Sequence, residues 1–277
     1  PQIFMSAVKE PGYFLVKDAP DTTFSRLDRP NRAYTISDLA AYQALFQPQH
    51  GEKPLGEASV AYLQFQPGAH NIAQMIPDAR LLLSLRDPTE RAFSHFLFDR
   101  SRGHQPNPDF IALLEQELPL LDKPMYWGEE NPTYIRTGFY HRHLLRFLEH
   151  FDRSQFKIFL FDDLIAWPKE LMRELFIFLD VDPDFPVNTV IQHKKSGLPR
   201  SQRWHRFLTR ANPIGKVLRP FLSRDQRRAI ATWLNTPNLR KPAFPQSARA
   251  LLNDIYRPQL PRLEDLINRD LSAWLNL

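Results

Sequence analysis

The 277-residue chain has no cysteine, only 9 glycines and no long apolar run. Without cysteine, a disulfide scaffold and a cysteine-ligated zinc or iron–sulfur site are both excluded. The longest apolar runs, such as 81–85, have the length of a core strand. They fall far short of the roughly 18 residues that a membrane span needs, so we expect no integral membrane span.

The shortage of glycine also bears on phosphate binding and catalysis. Neither a Gly-x-Gly-x-x-Gly segment nor a Walker-type loop occurs, and these are the usual glycine-rich phosphate loops. A Gly-x-Ser-x-Gly nucleophile turn is absent as well, which disfavours covalent hydrolase chemistry. His141 and His143 are two residues apart and do not share a helical face, so we predict no metal site.

Charge is distributed unevenly along the chain. The formal net charge is +5, yet residues 194–228 alone contain 11 Lys or Arg and one acid, and the rest of the chain is net acidic. A local positive stretch on an acidic protein favours a specific anionic ligand, although a solvated helix face rich in arginine is an equal alternative. No recognisable nucleic-acid-reading motif accompanies it, so we expect no specific nucleic-acid partner.

Two strand–helix units indicate an α/β fold with a parallel sheet. A continuous apolar run at 80–85, typical of a strand buried on both faces, precedes a helical pattern to about 101. A second strand at 156–161 precedes a helix at 168–179. We expect one domain over 1–277. The other predicted helices lie at 38–46, 70–76, 108–117, 139–151, 201–210, 224–234 and 247–267, the last interrupted by two prolines.

The turn after the first strand is the strongest candidate site. Asp87 can cap the following helix, Pro88 fits its first turn, and Glu90 stands where a capping-box acid belongs. Arg86 leaves the carboxyl end of the strand and Ser94 lies about 10 Å along the helix, so the two could grip a phosphate. The alternative is that Arg86 forms a salt bridge with Asp87 or Glu90 while Ser94 only packs.

The run from 85 to 94, Leu-Arg-Asp-Pro-Thr-Glu-Arg-Ala-Phe-Ser, resembles a motif of a known enzyme family. It is similar to the 3′-phosphate-binding strand–turn–helix of sulfotransferases that use 3′-phosphoadenosine 5′-phosphosulfate (PAPS), in particular the heparan-sulfate-type enzymes and their bacterial relatives. The resemblance implies that Arg86 and Ser94 bind the 3′-phosphate of PAPS and of its product PAP. It also implies a P-loop-like three-layer domain in which helices flank a central parallel sheet.

Further segments match the family in the same order along the chain. The segment 9–14 resembles a Lys-Glu-x-x-Phe/Tyr-Phe run, 56–62 resembles the stretch before the 3′-phosphate strand, and 194–200 stands where a basic loop closes over the cofactor. By resemblance, Glu10 is the base that deprotonates the acceptor, with Lys9 as a weaker catalytic candidate. The resemblance assigns cofactor binding in the basic loop to Lys195, Gly197 and Arg200.

One departure from the family concerns its 5′-phosphosulfate loop, which should lie roughly 20 residues before Pro1. We expect native sequence upstream of Pro1, and the start of the chain is typical of neither a signal nor a transit peptide, which favours a cytoplasmic protein. The predicted reaction is sulfuryl transfer from PAPS to the hydroxyl of a carbohydrate or small-molecule acceptor. The alternatives are transfer to an amine and a non-catalytic polyanion-binding module.

Overall fold

The computed structural model describes residues 2–17, 36–48, 51, 54–128, 131–189, 198–199, 239–240 and 242–275. Short strands alternate with helices through these ranges. The strands are β1 (Phe4–Met5), β2 (Leu55–Gly56), β3 (Leu81–Leu85), β4 (Phe156–Leu160), β5 (Leu198–Pro199) and β6 (Leu239–Arg240).

The helices of the amino-terminal half are α1 (Tyr13–Val16), α2 (Leu39–Gln43), α3 (Ala61–Gln64), α4 (Pro67–Met75), α5 (Pro88–Arg102) and α6 (Phe110–Glu117). Those that follow are α7 (Tyr140–Leu148), α8 (Phe161–Ala166), α9 (Pro168–Leu179), α10 (Gln246–Tyr256) and α11 (Leu260–Ile267). Among the described residues, 3₁₀ turns lie at 118–120, 136–138, 153–155 and 257–259. Within the described ranges, every helix is too short or too polar to cross a bilayer.

Most predicted helices are present with slightly different ends. The predicted interruption within 247–267 is present, because a 3₁₀ turn that contains Pro258 separates α10 from α11, whereas Pro261 lies in the first turn of α11. The sequence pattern missed α8, which begins directly after β4 where we had expected the strand to continue. The helices predicted at 201–210 and 224–234 lie outside the described residues.

The predicted parallel pairing is confirmed for the two main strands. β3 and β4 run parallel over five residues, from Leu81 opposite Phe156 to Leu85 opposite Leu160. β1 and β2 form a second parallel pair, and β5 and β6 pair antiparallel. These three pairs are separate ladders within the described residues, and the two parallel pairs agree with the predicted α/β class.

The prediction that the 81–85 strand is buried on both faces is wrong. Leu85 is fully buried, but Leu82 is 42% exposed and Ser84 is also exposed. The side chains of a strand alternate between its two faces. No described element covers the face that carries Leu82 and Ser84, so only the opposite face meets the core.

Two apolar clusters lie against the β3–β4 pair. One joins α5, α6, α7, α10 and α11 through rings such as Phe93, Phe96 and Phe110. The other joins α1, α2 and α4 to the end of α7. The partly buried Leu83 and Ile158 pack against both clusters. The strand pair therefore links the amino-terminal and carboxy-terminal parts of the fold.

A buried polar group ties the segment before α7 to α6. The carboxylate of Glu117, fully buried, accepts hydrogen bonds of 2.8 Å from the backbone N–H groups of Ile135 and Arg136. The Arg136 guanidinium lies 3.4 Å from the same carboxylate. These donors replace the water that burial removes, as a buried charge requires.

The imidazole of His143 is held neutral inside α7. Its Nε2 lies 2.9 Å from the carbonyl oxygen of Arg136, which makes Nε2–H the donor in the neutral ring. Burial, reinforced by the nearby Arg146, lowers the pKa of His143 to about 3. Because the unfolded chain protonates this residue near pH 6.5, its contribution to stability is complete above that pH. It is lost as the pH falls from about 6.5 towards 3.

We expect the His143→Gln variant to show a weaker dependence of stability on pH than the wild type. Lowering the pH from 7.5 to 5.0 should cost the wild type about 2 kcal/mol of unfolding free energy through His143 alone, since protonation then favours the unfolded chain. Urea unfolding at the two pH values measures this difference. As a control, His150→Gln alters an exposed histidine and should keep the wild-type dependence; equal pH dependence in all three proteins would contradict the assignment.

Candidate functional site

The turn from β3 into α5 is built around the buried carboxylate of Asp87. Its Oδ1 accepts hydrogen bonds from the backbone N–H groups of Thr89 at 2.8 Å and Glu90 at 3.1 Å. Pro88 occupies the first helical turn, as predicted. The cap fixes where α5 begins, directly beyond the carboxyl end of β3. The positive end of the helix dipole is therefore at this turn.

Arg86 lies in this turn with its side chain 32% exposed. Its Nη2 is 3.6 Å from Oε2 of Glu90, and its guanidinium carbon is 5.2 Å from the centre of the Phe161 ring. The salt bridge that we considered as an alternative to anion binding is therefore present. At 3.6 Å it is longer than a hydrogen bond, so the pair is a loose one.

Ser94 lies on the same helix, two turns after its start, and is half-buried. Strand β5 contacts α5, which brings the backbone of Leu198–Pro199 beside this helix. The predicted cofactor-binding residues Lys195, Gly197 and Arg200 flank that strand in sequence but lie outside the described residues. The structure thus brings Arg86 and Ser94 onto one strand–turn–helix unit.

Lys9 and Glu10 lie between β1 and α1. Both are exposed, and the Lys9 Nζ is 3.6 Å from the Glu10 Oε1. Glu10 has a left-handed backbone with φ 56, and its N–H donates to the Ala58 carbonyl oxygen at 3.2 Å. A non-glycine residue rarely adopts this conformation, so the chain holds this turn at an energetic cost. Glu10 therefore presents an exposed carboxylate on a backbone that is held by its hydrogen bond to Ala58.

Glu57 is a half-buried acid near the Glu10 turn that is not among the predicted site residues. It precedes Ala58, and its carboxylate oxygens are buried. Burial raises the pKa of Glu57, while neighbouring hydroxyl groups act in the opposite direction. Those hydroxyls belong to Tyr62, Tyr42 and Ser59. The closeness of Ser59 and Tyr62 to Glu57 in the chain could suggest their contacts with it. The contact with Tyr42 of α2 depends on the tertiary structure, and no local sequence pattern predicts it.

Arg249 is also absent from the predicted site residues, and no sequence motif links it to the β3–α5 turn. It lies on α10, and its Nη2 is 2.5 Å from Oε1 of Glu90. Glu90 was expected to act as a capping-box acid. Its carboxylate instead lies between two arginines, Arg86 just before the helix cap and Arg249, 159 residues later in the chain.

A second contact from α10 reaches the same helix turn. The Thr89 hydroxyl donates to Oδ1 of Asn253 at 2.8 Å, and the Asn253 amide donates to the Leu275 carbonyl oxygen at 3.0 Å. Asn253 lies one helical turn after Arg249, so both face α5. The Leu275 N–H in turn donates to Oδ2 of Asp87 at 3.2 Å. Helix α10 and the following tail therefore hold the start of α5 in place.

Comparison with known proteins agrees with this geometry. The model of the sulfotransferase domain family matches residues 63–257, a range that includes the β3–α5 turn and β4. A crystal structure of a sulfotransferase from Alicyclobacillus acidocaldarius superimposes with a TM-score of 0.68 at 27% identity, covering 99% of this chain and 89% of that one.

Two curated relatives are similar over shorter stretches. A bifunctional heparan sulfate N-deacetylase/N-sulfotransferase 1 from Caenorhabditis briggsae is 32% identical over 147 residues, which cover 50% of this chain and 16% of the relative. The human carbohydrate sulfotransferase 15 is 26% identical over 210 residues, 72% of this chain and 31% of the relative. The matches thus span less than a third of each relative. The chain belongs to the sulfotransferase family, and its fold is the α/β fold of that family.

We expect Asn253→Ala to destabilise the protein by about 3 kcal/mol, because it leaves the Thr89 hydroxyl and the Leu275 carbonyl buried without their partner. Chemical denaturation measures the loss. Asp254→Ala changes the exposed neighbouring position of the same helix and should alter stability by less than about 0.5 kcal/mol. Similar stabilities for the two variants would show that Asn253 does not hold the turn.

Proposed function

We propose that this chain, as one domain, transfers a sulfuryl group from PAPS to an acceptor hydroxyl. The observation that carries the proposal is the β3–α5 turn, where Arg86 meets the capped amino terminus of a 15-residue helix. Family membership supports sulfuryl transfer as the reaction class. The use of PAPS is implied by the family, whose members generally take this donor and release PAP.

The donor groups of this turn fit the 3′-phosphate of PAPS. Arg86 supplies a guanidinium that its loose ion pair does not saturate, and Ser94 supplies a hydroxyl on the same helix. Charge-assisted hydrogen bonds from arginine to phosphate are among the strong polar contacts in proteins. We assign Lys195, Gly197 and Arg200 to the same cofactor, and the contact of β5 with α5 supports that assignment because Leu198–Pro199 lies among these residues.

Glu10 is the proposed base. PAPS brings an activated sulfuryl group, and catalysis then depends mainly on in-line positioning and charge stabilisation. The acceptor oxygen gives its proton to the Glu10 carboxylate and forms a new S–O bond, while the S–O bond to the departing PAP breaks. The exposed carboxylate on a fixed turn suits this step, and the neighbouring Lys9 cation helps to attract an anionic acceptor.

A carbohydrate is the proposed acceptor class. The group on it that accepts the sulfuryl group is either a hydroxyl or an amine. The human relative is a carbohydrate sulfotransferase, and the nematode relative carries an N-sulfotransferase, so an amine acceptor is the second candidate. Incubation with radiolabelled PAPS and paired glycan acceptors, one fully N-acetylated and one with free amines, separates the two. Labelling of the N-acetylated glycan supports transfer to hydroxyl groups, whereas labelling confined to the free-amine glycan would contradict it.

We expect PAP to raise the melting temperature of the wild-type protein and to have little effect on Arg86→Ala or Ser94→Ala. Loss of the arginine should weaken PAP binding by roughly 30-fold or more, since it removes a charged contact to phosphate. Thermal shift and calorimetric titration with PAP measure this effect, and 5′-AMP tests the need for the 3′-phosphate.

Matched substitutions serve as controls for these two variants. Arg153→Ala removes an exposed cation elsewhere, and Ser101→Ala removes a hydroxyl from the far end of α5. Both should bind PAP like the wild type. If the wild type shows no binding of PAP but binds heparin in a salt-sensitive manner, the protein is instead a polyanion-binding module.

We expect Glu10→Gln to retain PAP binding but to lose roughly 100-fold or more in kcat, because a general base commonly contributes that much. Sulfuryl transfer from PAPS to the best acceptor provides the rate, and calorimetry provides the affinity. Glu115→Gln, which removes the charge of an exposed glutamate on α6, is the matched control. Near-normal turnover by Glu10→Gln would remove Glu10 from the mechanism.

A further inference from the structure

The carboxylate of Glu90 is shared unequally between two arginines. Its Oε1 lies 2.5 Å from Nη2 of Arg249, whereas its Oε2 lies 3.6 Å from Nη2 of Arg86. The Glu90 and Arg249 side chains are each 15% exposed, and Arg86 is 32% exposed. Screening by water is therefore weakest around the closer pair.

Arg249 is held in place from several sides. Its guanidinium carbon lies 4.3 Å from the centre of the Phe244 ring, and that ring stacks on Phe93 of α5 at 4.3 Å. One helical turn further along α10, Asn253 is bonded to Thr89. Helix α10 and the Phe244 ring both pack on α5. The Arg249 side chain is therefore already restricted, and its pairing with Glu90 costs little conformational entropy.

This arrangement decides how much positive charge the turn retains. The Asp87 carboxylate of this turn is bonded to backbone N–H groups, and of the two arginines around Glu90 the closer one, Arg249, takes most of the pairing. If Arg249 were absent, the Glu90 carboxylate would attract Arg86 more strongly, because the closer cation would be gone. An incoming phosphate would then have to compete with Glu90 for Arg86 and would be repelled by the negative charge of that carboxylate.

We propose that Arg249 is a positioning residue for anion binding, which neutralises Glu90 and thereby keeps Arg86 available to the 3′-phosphate. The proposal rests on the proposed function, which makes Arg86 a phosphate ligand. When Arg86 turns towards the phosphate, Glu90 keeps its contact with Arg249 and is not left as an uncompensated charge. Arg249 thus acts through Glu90.

A double-mutant cycle on PAP affinity tests this coupling. Calorimetric titration with PAP compares the wild type, Arg249→Met, Glu90→Gln and the double variant. We expect Arg249→Met to weaken binding about tenfold, a change within the usual range for coupled neighbours. In the Glu90→Gln background the same substitution should change the affinity by less than about twofold, since no carboxylate then competes for Arg86.

The control and the rescue variants separate positioning from simple loss of charge or of folding. Arg257→Met removes an exposed cation that follows α10 and should bind PAP like the wild type. Arg249→Lys keeps the charge and should bind within about threefold of the wild type. Melting temperatures are recorded for every variant, because a purely structural role of Arg249 would lower stability without any rescue by Glu90→Gln.

Two results would overturn the proposal. One is an equal loss of PAP affinity on Arg249→Met with and without Glu90→Gln. The other is weaker PAP binding by Glu90→Gln alone, which can be measured even if Arg249→Met fails to fold. Failure of the proposed function looks different, because then the wild type does not bind PAP or Arg86→Ala binds it unchanged.

Discussion

The carboxylate of Asp87 is the contact on which the rest of the site depends. One oxygen caps α5 through Thr89 and Glu90, and the other accepts the N–H of Leu275 from the carboxy-terminal tail. A single buried side chain therefore sets where the helix begins and joins it to the last described part of the chain. Arg86 stands immediately before this cap, so its position follows from the same bonds.

The β3–α5 turn combines a positive helix end with alternating charges. The Glu90 carboxylate lies between the guanidiniums of Arg86 and Arg249, while the Asp87 carboxylate accepts hydrogen bonds from backbone N–H groups. Partial burial makes these charges interact more strongly than they would in water. The loose contact with Glu90 therefore leaves the Arg86 guanidinium only partly paired at this turn.

Local patterns were sufficient for much of the fold and for the β3–α5 turn. The run of leucines before Arg86, the Asp-Pro pair and the helical spacing beyond it predicted β3, the cap and α5, because strand burial, capping and helix initiation are all short-range effects. The exposure of Leu82 was not predictable in this way. Composition shows that a strand is apolar, but it does not show which neighbours cover each face.

The sequence by itself determined the α/β class, the start of α5 and the placing of Arg86 and Ser94 on one unit, since each depends on residues close together in the chain. Only the tertiary structure decided that Glu90 meets Arg249, that Asn253 binds Thr89 and that the Glu10 turn rests on Ala58. These contacts join positions far apart in sequence. They form because packing of the apolar clusters brings α10 against α5 and brings the segment after β2 next to Glu10. Local sequence periodicity does not predict contacts between segments so far apart in the chain.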